Sequence, residues 1–300
     1  MRKTTVGGQA VIEGVMMRGS RGLATAVRLP NGKIEIKEEK TTSLTKKNKF
    51  LGLPIIRGFV SLIESLIIGI KSLEYSASFF EDEEEEESKF DKWFNKTFKE
   101  KGNSIIMGIS LVLSLALSVA LFFILPTLLT SVVKKLLTSN VIVLNIIEGI
   151  IRVLIFLSYV YFVGKMEDIN RLYQYHGAEH KTIFCYENEV ELTPENAIKF
   201  SRLHPRCGTN FLFLVMVISI IIFSFTGWES ALQRVISRII LLPLVSGITY
   251  EVIRWLGKSN TKVAKIISWP GLLLQKITTK EPDLDMLEVA IASLKAAEGL

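Results

Sequence analysis

Residues Ser104–Val133 read SIIMGISLVLSLALSVALFFILPTLLTSVV, a run of 30 residues without a charged side chain. A helix needs about 20 predominantly apolar residues to cross the hydrocarbon core of a bilayer. The run therefore predicts a transmembrane helix. It also sets the class of the fold, because a chain that enters a bilayer must satisfy its backbone hydrogen bonds within helices or a closed barrel.

Three further segments predict membrane spans. Residues 141–164 are apolar apart from Glu148 and Arg152, which are four residues apart and can neutralise each other on a side that faces other helices. Residues 211–228 and 239–255 complete a count of four. The predicted fold class is mainly α: a four-helix polytopic membrane protein with a small N-terminal β-element and cytoplasmic helical segments.

The distribution of basic residues predicts the orientation. Four crossings place the N-terminal region, residues 165–208 and the C-terminal tail on one side of the membrane. Residues 165–208 carry six Lys and Arg, whereas the two opposite loops contribute mainly Lys134 and Lys135. The positive-inside rule therefore predicts that this segment and both termini are cytoplasmic. The net charge of +6 suits anionic lipid better than nucleic acid, since no basic-aromatic nucleic-acid module is present.

All three histidines and both cysteines of the chain lie between residues 176 and 207. The string HGAEH places His176 and His180 four residues apart, so that on a helix both imidazoles share one face and can share a metal. This is the inverted zinc-hydrolase order, in which Glu179 is the general base for a metal-bound water. The segment therefore predicts a metal site, with zinc or another divalent transition metal as the cofactor.

Two residues of the string HPRCG, His204 and Cys207, offer a third and a fourth ligand. Two histidines, one cysteine and a water form an open catalytic site, whereas His176, His180, His204 and Cys207 together form a closed structural one. The sequence leaves both possibilities open. Glu251 is another candidate ligand, because a carboxylate in an apolar helix normally has a partner.

The N-terminal region predicts β-structure. Alternating apolar and polar residues from Leu23 to Glu39, interrupted by Pro30-Asn31-Gly32, predict a hairpin. The preceding string GGQAVIEGVMMRG, Gly7–Gly19, has two interpretations. It could be a strand pair with a tight turn whose methionines fill the core. Alternatively, its charged residues, Glu13 and Arg18, could lie close to the metal or a substrate.

The remaining segments predict an amphipathic helix at 54–75, with a fifth span as the alternative, and an acidic linker around the run at 81–87. Residues 266–277, with Pro270-Gly271 in their middle, predict a broken interfacial segment, and 284–297 predict a helix that docks on the other cytoplasmic parts. The predicted organisation is 1–50 N-terminal β-element, 51–80 interfacial helix, 81–103 acidic linker, 104–164 first two spans, 165–208 metal segment, 209–256 last two spans and 257–300 C-terminal segment.

Four strings, Gly7–Gly19, His176–Lys181 (HGAEHK), His204–Phe211 (HPRCGTNF) and Leu274–Ala290, resemble the signature blocks of the YqhQ-like family of bacterial membrane proteins. The resemblance covers essentially the whole chain and implies a multi-pass protein of the bacterial plasma membrane. That family is uncharacterised and is labelled as predicted metal-dependent enzymes, so no reaction follows from it. Cys185 lies outside these blocks. The residues that the resemblance favours are Glu13, Arg18, His176, Glu179, His180, Lys181, His204, Arg206, Cys207 and Glu251.

Two functional hypotheses follow. In the first, the protein is a metal-dependent hydrolase of the cytoplasmic membrane face that acts on a membrane-associated peptide or lipid. Glu179 is then the base, and Arg206 or Lys181 steadies a developing oxyanion. In the second, a structural His/Cys metal site serves a non-enzymatic scaffold or assembly factor that binds a membrane protein or peptide. Transport is disfavoured, because four spans without a repeat make a poor carrier.

Overall fold

The structure, a computed structural model, describes residues 4–41, 43–80, 102–137, 140–225, 230–259 and 261–300. It is mainly helical, with a small N-terminal antiparallel sheet, as the sequence predicts. The strands are β1 Gly7–Val11, β2 Gly14–Arg18, β3 Leu23–Arg28 and β4 Ile34–Glu39. The helices are α1 Leu44–Lys47, α2 Ile56–Ala77, α3 Gly102–Val119, α4 Leu125–Leu136, α5 Val141–Val163, α6 Glu167–Glu187, α7 Pro194–Ala197, α8 Gly208–Phe223, α9 Ala231–Lys258, α10 Lys262–Thr278 and α11 Leu284–Glu298.

The sheet is an antiparallel meander in the order β1-β2-β3-β4. The β1–β2 turn consists of two residues, and Glu13 adopts a left-handed φ of 49° there. The β3–β4 hairpin confirms the prediction from residues 23–39. The strand pair with a buried Met16 and Met17 also agrees with the first interpretation of the Gly7–Gly19 string.

One hydrophobic core joins the sheet to α6 and α11. Helix α11 begins at Asp283, whose side chain accepts the Met286 N–H at 2.8 Å, and it ends at the left-handed Gly299. The predicted C-terminal helix is therefore present and docks on α6, β2 and β3. The buried residues of this core include Val15, Met17, Ala24, Ala26, Tyr175, Leu287, Ala290 and Leu294.

Three helical segments of the described residues are long and apolar enough to cross a membrane, whereas the sequence predicts four, and the fourth stays a prediction. They are Val112–Leu136, Val141–Val163 and Leu232–Lys258. The expected third span, 211–228, corresponds to α8, which has 16 residues and ends at Phe223. Residues 226–228 of that prediction lie outside the described residues, as does the acidic run at 81–87.

The apolar helices enclose an ion cluster around Glu148. Arg152 and Glu148 pair at 3.1 Å, as their spacing predicts. Arg238, from α9, also contacts this carboxylate, with its Nη2 at 2.7 Å from Oε2. The Arg152 Nε donates to the carbonyl of Phe122 at 2.9 Å, within a π-helical stretch, Ala120–Ile124, between α3 and α4. Sequence spacing indicated Arg152 but not Arg238, because the α9 residue is 90 positions away.

Helix α2 packs lengthwise against α9. A methyl group at Gly58 would lie 2.7 Å from Cβ of Tyr250 and 2.8 Å from Cα of Gly247, so the two backbones approach closely. Small residues permit such close helix contacts in membrane proteins. The three described segments that are long and apolar enough to cross a membrane do not include α2, whose amphipathic, interfacial position stays a prediction.

Helix α10 runs without interruption through Pro270. The prediction of a broken segment at 266–277 is therefore wrong. A proline inside a helix removes one backbone hydrogen bond, and here the packing of the following residue keeps the helix continuous. Gly271 lies directly against Asn210 of α8, where a methyl group would overlap the amide oxygen.

Candidate metal centre

Three of the predicted ligands come together at the start of α8. His176 and His180 lie on the same face of α6, and Cys207 is the N-cap residue of α8. One ligand atom from each residue lies within 4.8 Å of the others. The Nε2 of His176 lies 3.2 Å from Sγ of Cys207.

Backbone carbonyls orient both imidazoles. Nδ1 of His176 lies 2.9 Å from the carbonyl oxygen of Thr278, and Nδ1 of His180 lies 2.5 Å from that of Arg202. Since a carbonyl can only accept, each Nδ1 carries the proton and each Nε2 keeps its lone pair. The Nε2 of His180 is buried without a hydrogen-bond partner in the described part of the chain. Metal-binding histidines are oriented in this way in most proteins.

The three donors fit a borderline-soft divalent cation. Zinc binds histidine nitrogen at roughly 2.0–2.1 Å and cysteine sulfur at about 2.3 Å. In a tetrahedral sphere those bonds place ligand atoms about 3.3–3.8 Å apart, so a contraction of the group by about 1 Å suffices. Burial lowers the pKa of His180, which keeps that ring neutral and able to bind a metal. The sulfur accepts the Thr209 N–H at 3.4 Å, at a helix terminus that favours a negative ligand atom.

Glu179 lies beside the two histidines and beneath strand β1. Its carboxylate is buried, and burial raises its pKa, while His176 and the backbone N–H of Gly8 act in the opposite direction. A methyl group at Gly8 would lie 3.1 Å from the carboxylate carbon. The same methyl group would lie 2.5 Å from the backbone oxygen of Met16, so this position, close to Glu179, has room for glycine alone.

A second glycine allows the C-terminal segment to reach His176. A methyl group at Gly177 would overlap the carbonyl oxygen of Lys280. The backbone N–H of Lys280 in turn donates to the carbonyl of Tyr173 at 2.8 Å. This contact holds the end of α10 against α6, where the carbonyl of Thr278 meets the imidazole.

Lys181 and Arg202 support the site from the side. Nζ of Lys181 donates to the carbonyls of Ile198 and Phe200, at 2.8 and 2.7 Å, and pairs with Glu281 at 3.0 Å. Nε of Arg202 lies 3.1 Å from the same carboxylate. These contacts fix the loop whose carbonyl orients His180. The role of Lys181 at an oxyanion stays a prediction; in this structure its ammonium group contacts this loop and Glu281.

His204 belongs to a neighbouring cluster instead of to the three-residue group. Its Nε2 lies 3.8 Å from Oε2 of Glu187, and Gln275 holds its backbone through two hydrogen bonds of 2.7 and 2.8 Å. Arg206, also expected at an oxyanion, contacts Glu187 and the carbonyl of Thr4. Burial alone would raise the pKa of Glu187, but hydrogen bonds from His204 and Thr4, together with the charge of Arg206, lower it to about 2.

The other predicted site residues lie elsewhere. Glu251 pairs with Arg57 of α2, at 2.6 Å between Oε1 and Nε, and lies outside the three-residue group. Glu13 pairs with Arg171 at 2.5 Å. Arg18 pairs in register with Gly7 at the end of β2, and no contact of the described side chains joins it to the three ligand atoms. The second interpretation of the Gly7–Gly19 string placed Glu13 and Arg18 close to the metal. In the structure both residues have other neighbours.

Sequence reasoning missed the residues that shape the site without binding a metal. Gly8, Gly177, Gln275 and Thr278 are each essential to the geometry just described. All four lie within the strings quoted for the family resemblance, so for the first three that signal was available. Thr278 acts through its carbonyl oxygen, which any residue type would supply, and its identity therefore carries no signal.

Comparison with known proteins identifies the family. The family model described as "Protein of unknown function (DUF1385)" matches residues 53–299. The chain is 33% identical over 290 residues to "Uncharacterized protein YqhQ" of Bacillus subtilis (strain 168), covering 96% of this chain and 90% of that protein. No solved structure matches significantly. The matched range includes the three converging ligands. The chain therefore belongs to the DUF1385 family.

Proposed function

We propose that this protein is an integral membrane metalloprotein that hydrolyses a membrane-associated peptide or lipid at the cytoplasmic face. One observation carries the proposal. Two imidazoles with protonated Nδ1 atoms and a thiol converge, so that two nitrogen lone pairs and a sulfur face one point. The Nε2 of His180, buried beside the Cys207 thiol, makes no hydrogen bond of good geometry within the described residues and is therefore available to a cation.

A membrane position with four crossings is consistent with the packing. The sheet, α6 and α11 share one core and must lie on the same side of a bilayer. The chain between α6 and α11 must therefore cross an even number of times. Helix α9 supplies one crossing, and α8, about 24 Å long at 1.5 Å per residue, is the element available for the other. The basic residues of 165–208 favour the cytoplasm for this core.

The chemistry of the site suits hydrolysis. A bound zinc ion supplies Lewis acidity and lowers the pKa of water at the site. Glu179 accepts a proton from the attacking water and returns it to the leaving group, so that water adds across the cleaved bond. Its buried position, which raises its pKa, brings the carboxyl group nearer to the range where both steps are possible.

The group formed by the described residues has three protein ligands instead of four, which favours an enzyme over a scaffold. A closed structural zinc site needs four protein ligands. His204, the expected fourth ligand, faces Glu187 instead. The described residues thus supply three ligands, which leaves one position for water or substrate.

Elemental analysis of detergent-purified protein tests the metal directly. We expect about one equivalent of zinc or another divalent metal in the wild type and in Glu179→Gln, and a large loss in His176→Ala and His180→Ala. Hydrolysis of membrane lipids and peptides by metal-loaded protein should be abolished in Glu179→Gln. Metal-free wild type after growth and purification with zinc would refute a metalloprotein. X-ray absorption with four protein donors and no other ligand would instead support the scaffold.

A further inference from the structure

A cavity of about 560 Å³ lies beside the metal centre, where α9 ends and α10 begins. Ligand-binding pockets typically have volumes of about 300–1,000 Å³. One wall is the loop from His204 to Arg206, and the opposite wall comes from the two helices. None of His176, His180 and Cys207 lines it. The cavity is therefore distinct from the group proposed to bind the metal.

The lining is mostly apolar, with polar groups in a few places. Leu256 of α9 and Trp269 and Leu272 of α10 supply apolar surface, while Lys265 supplies a positive charge. Glu187 also lines the cavity, but Arg206 compensates its charge. Lys265 is exposed and forms no ion pair with the described residues. Its positive charge is therefore the uncompensated charge of the cavity. Such a lining suits an amphiphile with an anionic head.

Helix α10 points an apolar face outward next to this cavity. Val263, Ile266 and Trp269, three residues apart, are 56%, 71% and 60% exposed. The opposite face is buried, with Ala264 and Leu274 packed inward. An exposed apolar stripe with a tryptophan, directly after a helix that could cross a membrane, is typical of a helix in the bilayer interface.

The charge of α10 favours anionic lipid on that face. The helix contains Lys262, Lys265 and Lys276 and no acidic residue. Lysines near an anionic leaflet strengthen binding to it. Trp269 is shared by the outward face and the cavity lining, so the cavity adjoins the surface that would touch lipid.

We propose that this cavity binds one anionic phospholipid from the leaflet beside it. The headgroup phosphate lies on Lys265, and part of an acyl chain occupies the space between Leu256, Trp269 and Leu272. This binding does not depend on the proposed hydrolysis, because its residues are separate from the metal ligands. It gives the protein a lipid site at the same face of the membrane as the metal centre.

Native mass spectrometry of the full chain tests this binding. The protein is reconstituted in nanodiscs of equal parts phosphatidylglycerol and phosphatidylcholine, released, and examined for retained lipid. We expect one retained phosphatidylglycerol in the wild type. Lys265→Glu should lower that retention on the order of tenfold, whereas Lys276→Glu, on the same helix but outside the cavity, should match the wild type.

A second pair of variants separates the cavity from general membrane contact. Trp269→Ala should lower retention, and Ile266→Ala, equally outward but not in the lining, should not. Both pairs replace exposed side chains, so folding is preserved, and metal content should equal that of wild type throughout. Equal losses in both members of either pair, or equal retention of phosphatidylcholine, would overturn the inference. Displacement of the lipid by excess soluble glycerol phosphate would identify a free phosphate ester as the ligand instead and would likewise overturn it.

Discussion

The Nδ1 atom of His180 lies 2.5 Å from the carbonyl oxygen of Arg202. This contact connects α6 to the loop that follows α7, and it decides which imidazole nitrogen is available. An imidazole whose Nδ1–H donates a hydrogen bond to a carbonyl leaves Nε2 available to a metal and cannot rotate freely. The carbonyl of Thr278 does the same for His176 from the other side. The site is thus built from three parts of the chain, and its properties depend on how they are held together.

Substitution of the two cysteines should have different effects on zinc affinity. Cys207 faces His176, whereas the buried Cys185 lies near the carbonyls of Val190 and Glu191. We expect Cys207→Ser to weaken zinc affinity by more than the roughly 10- to 100-fold that loss of a supporting residue costs. Cys185→Ser is the matched control and should retain the metal. Competition with a chromogenic chelator measures both affinities, and equal zinc binding by Cys207→Ser and wild type would contradict a thiolate ligand.

Lys181 is expected to act on the metal through the loop. Its ammonium group holds the carbonyls of Ile198 and Phe200, which lie four and two residues before the carbonyl that orients His180. Lys181→Met should therefore lower metal affinity by about 10- to 100-fold while leaving every ligand in place. Lys199→Met, an exposed neighbour on the same loop, should have no effect. If chelator competition gives the same affinity for both variants, Lys181 has no positioning role.

The sequence predicted the local features of this protein better than the contacts between distant segments. Helical spacing identified His176 and His180, and the alternation of residues 23–39 identified a hairpin, because both patterns are set by neighbours in the chain. The partner of Glu251 was not predictable, since Arg57 is 194 residues away. Nor could composition show that His204 faces Glu187 instead of joining the two other histidines.

Two adjacent glycines of β1 make a matched test of how the sheet supports Glu179. A methyl group at Gly8 would meet Met16, Met17 and the Glu179 carboxylate, with the last contact at 3.1 Å, whereas one at Gly7 would meet nothing within 4 Å. Gly8→Ala should therefore destabilise the protein by about 1–3 kcal/mol through overpacking and displace the carboxylate. Gly7→Ala should be close to wild type. Thermal unfolding in detergent measures the difference, and equal melting temperatures for the two variants would refute this close approach.

The lowered pKa of Glu187 predicts how the stability of the folded protein changes in acid. Its folded pKa of about 2 lies below the ordinary value of 4.5, because hydrogen bonds from His204 and Thr4 and the charge of Arg206 outweigh the effect of burial. A depressed carboxyl pKa contributes stability above the unfolded value, and that contribution disappears as the pH falls from 4.5 to about 2. At neutral pH it amounts to about 3 kcal/mol, at 1.36 kcal/mol for each pKa unit.

Glu187→Gln should therefore lower the melting temperature at pH 7, and its difference from wild type should shrink progressively below pH 4.5. Glu191→Gln, which replaces an exposed carboxylate nearby, should follow the wild-type curve. Because Glu187 raises the pKa of His204, Glu187→Gln also lowers the pKa of that imidazole, and both effects follow from the loss of the Glu187 charge. A difference between Glu187→Gln and wild type that stays constant from pH 7 to pH 3 would show that this side chain stabilises the fold by packing and not by its charge, because packing does not depend on protonation.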